Sequence, residues 1–178
     1  MNKDQKPTIV ATASYLAMRD ALSAPGGSKP VLPKAVVDFG LGRDVDDEAA
    51  VRRALGENLA LRRLYRTAVE QQRVAYSPVQ ACAQDRGEVT RRSGDRFELR
   101  FRRSRASDGQ VYVTLEVAPG LQLEEGEGVV IHAIGESEVL RVSFPPLHDG
   151  KTQRLFEADD AVLRLLCNDR SELEVVKS

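Results

Sequence analysis

Phe97-Glu98-Leu99-Arg100-Phe101-Arg102 alternates apolar and charged side chains with a period of two. Successive side chains of a strand point to opposite faces, so this stretch reads as a strand buried on one face and wet on the other. Ser107-Asp108-Gly109 follows as a hairpin signal, because Asp and Gly accept the backbone angles of a tight turn. The chain returns through Val111, Val113, Leu115 and Val117, all on one face, and turns again at Pro119-Gly120. Further strands are expected at about 121–124, 128–134, 138–144, 152–157, 161–167 and 172–176. Short strands spaced about 8–12 residues apart imply an antiparallel β-sandwich or a partly open barrel. No strand–helix–strand rhythm appears, which argues against a parallel nucleotide-binding sheet.

Ahead of residue 95 the period changes. Leu61, Leu64, Tyr65 and Ala68 form one stripe of a helix expected over about 58–76, flanked by Arg62, Arg63, Arg66, Glu70 and Arg73 and closed by Pro78. Before it, Asp44 to Asp47 offer N-caps for a helix with Val51 and Leu55 on one face, and Gly56 marks its cap or a kink. Pro33 can open a still earlier helix through Val36, Val37 and Phe39, since its missing N–H has no helical partner in a first turn. Gly40 and Gly42 break that helix. Ser23 to Pro30 is a turn-rich linker, preceded by a weakly patterned helix at about 9–22 and a polar tail. The chain is therefore expected to be α+β. Residues 1–32 form the tail, weak helix and linker, and 33–80 a small helical bundle. An Arg-rich connector spans 81–95, and a β domain 96–178.

Composition narrows the function. The 178 residues are 42% hydrophobic and 30% charged, which provides both a core and a solvated surface. Aromatics are only 5% and Trp is absent, so the stacking platforms of single-stranded nucleic-acid binders are not expected. The net charge of −1 means that any polyanion would need a local basic patch. Cys82, Cys167, His132 and His148 are scattered without ligand spacing, so neither a disulfide framework nor a metal site is expected. No apolar stretch approaches the roughly 20 residues of a membrane helix, and residues 1–8 lack a signal-peptide core; the cytoplasm is the expected location. Gly26-Gly27 and Gly40-Leu41-Gly42 are not followed by the residues of a phosphate loop. His148 sits in Leu147-His148-Asp149-Gly150, which reads as a turn, and His132 sits in an apolar strand. These features point away from an enzyme and from any cofactor.

One run of charge stands out. Arg86, Arg91, Arg92, Arg96, Arg100, Arg102, Arg103 and Arg105 face only Glu88, Asp95 and Glu98 within the same stretch. The simplest account is a solvated strand face plus a linker. The functional accounts are an electrostatic patch for nucleic acid or for an acidic partner, with the net charge and scarce aromatics counting against nucleic acid, or a connector around Arg86, Arg91, Arg92 and Arg96 open to proteolysis.

Phe39-Gly40-Leu41-Gly42, followed by Asp46-Asp47-Glu48 at a helix start and an amphipathic run to Tyr65, resembles the small helical domain of bacterial anti-sigma factors. The resemblance spans about residues 36–66. It implies a helical domain that binds and sequesters a sigma factor, with Leu55, Leu59, Leu61, Leu64 and Tyr65 as candidate contacts. The positions that ligate zinc in metal-binding relatives fall here on Ala54, Asn58 and Leu61, which cannot replace His and Cys. An apolar seam is expected to join the helices instead of a metal. The membrane helix usual after such a domain has no counterpart. The alternative expectation is an adaptor or inhibitor subunit of a protease or NTPase assembly in bacterial stress or defence, contacting its partner through the β domain.

Overall fold

The computed structural model describes residues 30–78, 83–85, 88–121 and 127–177. The helix expected at 9–22, the linker expected from Ser23 to Pro30 except for Pro30 itself, and the strand expected at 121–124 except for Leu121 lie outside the described residues. The chain is α+β and divides into two compact units, with the boundary between Gln71 and Gln72. Among the described residues no helix is long and apolar enough to cross a membrane.

The first unit holds α1 (Pro33–Gly40), α2 (Glu48–Glu57) and α3 (Leu59–Gln72). Proline occupies the first turn of α1, and Gly42 takes a positive φ of 73° just beyond its end. Asp47 caps α2, its carboxylate accepting from Ala50 N at 2.8 Å. Asn58 serves two helices. Its backbone N–H closes α2 on Ala54 O, and its Oδ1 accepts from Ala60 N at 2.9 Å and Leu61 N at 3.1 Å to open α3. The apolar faces meet where Phe39 and Tyr65 tilt against each other with centroids 5.8 Å apart. Gly40 lets α1 approach α3 closely, since a Cβ there would lie 3.2 Å from Ala68 Cβ.

The second unit contains two antiparallel sheets. β1 (Arg73–Ser77), β9 (Glu172–Lys177), β6 (Val129–Ile134) and β7 (Val139–Phe144) form the four-stranded sheet in that order. β2 (Ala83–Asp85), β3 (Glu88–Ser93), β4 (Phe97–Arg103), β5 (Gln110–Val117) and β8 (Lys151–Glu157) form the five-stranded one. The alternation that begins at Phe97 sets the register: Leu99 pairs with Leu115 and Phe101 with Val113. Those four side chains join Ile131, Ala133, Leu173 and Val175 of the other sheet in one buried cluster. Phe144 and Phe156 link β7 and β8 with ring centroids 6.4 Å apart. The turn expected at Leu147 to Gly150 is a two-residue hairpin, with positive φ at Asp149 and Gly150 and His148 bridged to Lys151.

Three expectations are corrected. The helix expected to run to Tyr76 ends at Gln72, because Arg73 to Ser77 pair with β9. Residues 161–167, read as a strand, form α4 (Ala161–Leu166), capped by the Asp160 carboxylate on Val162 N at 2.7 Å. A six-residue stretch with five apolar residues fits either period, and the N-cap decides it. The expected connector at 81–95 is largely sheet: β3 pairs with β4 through Arg91–Arg100, Arg92–Leu99 and Ser93–Glu98.

The β3–β4 turn yields a first prediction. A Cβ on Gly94 would fall 2.2 Å from the Phe97 ring, itself part of the core. Gly94→Ala must displace that ring or reshape the turn, and is expected to cost about 1–3 kcal/mol in urea unfolding. A midpoint equal to wild type would show that the turn gives way freely.

Candidate functional site

The helical unit carries the first candidate surface. α3 presents two faces. Leu61, Leu64, Tyr65, Ala68 and Val69 are buried, whereas Leu59 is 63% exposed. Leu59 and Leu61 sit about 200° apart around the helix axis, which accounts for the difference. Of the residues expected to contact a partner, Leu55, Leu61, Leu64 and Tyr65 therefore lie buried, and Leu59 faces water. Counting from Leu59 by three, four and seven residues reaches Arg62, Arg63 and Arg66, so its face is an apolar head followed by a basic row. Leu32, just ahead of α1, is also 60% exposed.

The position aligned with a zinc ligand, Asn58, spends its side chain on capping. Asp38 near the end of α1 accepts from Lys34 at 2.5 Å and from Arg43 at 3.2 Å. The Lys34 hydrogen bond, above all, holds its carboxyl below the usual carboxylate range, with Arg43 adding to it. This fastens the loop after α1. Among the described residues no group of three or more His, Cys, Asp or Glu comes together as a metal site.

The β unit holds the arginine run, and the structure separates its members. Arg86 lies outside the described residues. Arg91 is exposed, 3.8 Å from Glu98. Arg96 donates to Gly120 O at 3.0 Å. Arg92 departs most from an exposed connector: it is 1% exposed. Its guanidinium donates to Leu166 O, Asn168 O, the Ser171 hydroxyl and Ser171 O. A protease-sensitive or electrostatic role is thus corrected for Arg92 to a structural one, because its charge is spent on the turn between α4 and β9. The remaining cations, Arg100, Arg102, Arg103 and Arg105, fall on or beside the wet side of β4. Register sets Thr114 and Gln153 beside Arg100, and Tyr112 and Leu155 beside Arg102. The run itself is legible in the sequence as an electrostatic patch; its neighbours on β5 and β8 are not assembled there, although the shared period of two contains them.

The two histidines occupy separate elements. His148 opens the tight turn between β7 and β8, bridged to Lys151. His132 is fully buried in mid β6, opposite Arg141 and Glu174. Burial first, and the charge of Arg141 second, lower its pKa to about 3, so its imidazole is neutral near pH 7. No protein-family model matches the chain, and no curated protein matches it.

Proposed function

We propose that this chain is a non-catalytic regulatory protein that works by binding another protein. On the resemblance of residues 36–66, the partner is a sigma factor, held in the cytoplasm away from core polymerase or promoter DNA. The observation that carries this reading is the outward face of α3, where exposed Leu59 leads the row Arg62, Arg63 and Arg66. An apolar anchor rimmed by charge is the arrangement that protein interfaces use for affinity and register. The buried side chains Leu55, Leu61, Leu64 and Tyr65 then serve as the metal-free seam of a helical bundle. The two sheets of the second unit belong to the same proposal as a β-sandwich. Release follows from a competing partner or a conformational change. Cleavage at Arg91 or Arg92 fits poorly, because both lie in a paired strand.

Co-expression with a sigma factor encoded beside its gene, followed by size exclusion, tests the proposal. Wild type is expected to co-elute with it. Leu59→Asp is expected to weaken the complex at least about tenfold with an unchanged far-UV circular dichroism spectrum, since the side chain is already in water. No co-elution, or co-elution indifferent to Leu59→Asp, would overturn it. Exposed Tyr112 and Leu155 on the five-stranded sheet favour a second reading, an adaptor or inhibitor subunit of a protease or NTPase assembly that binds through its β domain.

A further inference from the structure

The wet face of the five-stranded sheet forms an open groove of about 870 Å³. Arg100, Arg102, Arg103, Arg105 and Lys151 line it, with Tyr112 among them. One end is already neutralised. Glu98 takes Arg100 Nε at 2.6 Å, and Glu116 lies 3.4 Å from Arg100 and 3.3 Å from Lys151. At the other end, around the β4–β5 hairpin, the side chains of Arg102 and Arg105 have no ion pair or hydrogen bond among the described residues. We propose that this groove binds an extended acidic segment of a partner protein, with Arg102 and Arg105 as its principal contacts.

Charge and spacing both favour that occupant. Outward residues on a strand repeat every two positions, about 6.8 Å apart. An extended peptide with a carboxylate at every second residue has the same repeat as the outward positions of β4, so it can lie along the strand with one acid on Arg102 and a neighbouring acid toward Arg105. A guanidinium binds a carboxylate through two parallel N–H donors, which fixes orientation as well as attraction. A single-stranded nucleic acid would share the charge but needs stacking surfaces, and Tyr112 is the only aromatic exposed in this groove. The groove lies wholly within the second unit, so this proposal stands apart from the α3 contact.

The test is binding of a fluorescent peptide of alternating Glu and Ser to the full chain at low salt, against a uridine oligomer of equal charge. The expected result is saturable peptide binding that weakens at least about tenfold in Arg102→Gln/Arg105→Gln. Arg164→Gln, an exposed charge on α4 away from the groove, should leave binding unchanged. The paired substitutions sit on the surface, and circular dichroism checks the fold. Absent peptide binding, tighter binding of the uridine oligomer, no loss in the double variant, or an equal loss in Arg164→Gln would each overturn the proposal.

Discussion

Arg92→Ala is expected to destabilise the β unit by about 3–5 kcal/mol, read as a shift of the urea unfolding midpoint. The side chain sits in β3, yet its guanidinium donates to groups 74–79 residues later in the chain. Nζ-type point charges do not make this contact pattern. One terminal nitrogen reaches Leu166 O at 3.1 Å, Asn168 O at 2.8 Å and Ser171 Oγ at 2.8 Å, and the other reaches Ser171 O. The Ser171 hydroxyl in turn donates to Leu165 O at 2.7 Å or Asn168 O at 2.8 Å. Removing the guanidinium takes its donors from Leu166 O at the end of α4 and from Ser171 O, while Asn168 O keeps the Ser171 N–H, and a buried acceptor abandoned in this way costs about 1–3 kcal/mol. Arg92→Lys keeps the charge but not the planar fork, and is expected to recover less than half of the loss. Arg92→Met keeps the apolar stem and no donor; it should resemble the alanine variant. Wild-type stability in Arg92→Met would show that packing alone matters at this site.

The same residue explains what the sequence could and could not reveal. Phe97 to Arg102 announced β4 because a half-buried strand writes its own period, and the apolar return from Val111 to Val117 supplied its partner. Glu88 to Ser93 has a single apolar residue, Val89, and no such period. It becomes a strand through pairing with β4 and through the distant acceptors of Arg92, which no local pattern encodes. α4 was ambiguous for a different reason: six apolar-rich residues are too short for period to separate helix from strand, and only the Asp160 cap does so.

The helical unit shows the same limit on a smaller scale. The stripe Leu61, Leu64, Tyr65 and Ala68 was legible as one face of a helix, and the structure buries it. Which apolar residues would serve the interior and which the surface was not legible from composition. Helical rotation separates Leu59 from Leu61, and only the placement of α1 against α3 at Gly40 fixes which side becomes the interior. Asn58 illustrates a site lost to a different reading. Its alignment with a ligand position hid an ordinary signal, an Asn immediately before an amphipathic run, which is how helices are commonly capped.

His132 makes the stability of the β unit fall as the solution is acidified from near neutrality. Its pKa drops from 6.5 to about 3 in the folded chain, chiefly because burial penalises the charged imidazole and further because Arg141 lies opposite it on β7. On its other side Glu174 is engaged by Arg73 at 3.8 Å. The unfolded chain protonates His132 below about pH 6.5, while the folded chain does so only near 3. Between those values the unfolded state holds more protons, so acid favours unfolding. The contribution is fully present above pH 6.5 and declines by about 1.4 kcal/mol for each pH unit below it. Across the whole span the loss approaches roughly 5 kcal/mol. Carboxylates also titrate in this range, so the measurement is the difference between wild type and His132→Leu, followed by urea unfolding from pH 7 to pH 4. The variant curve is expected to be flatter by that slope, so that the stability of wild type relative to the variant falls steadily as the pH falls. Parallel curves would mean that His132 accepts its proton within the folded sheet, and the burial argument would fail.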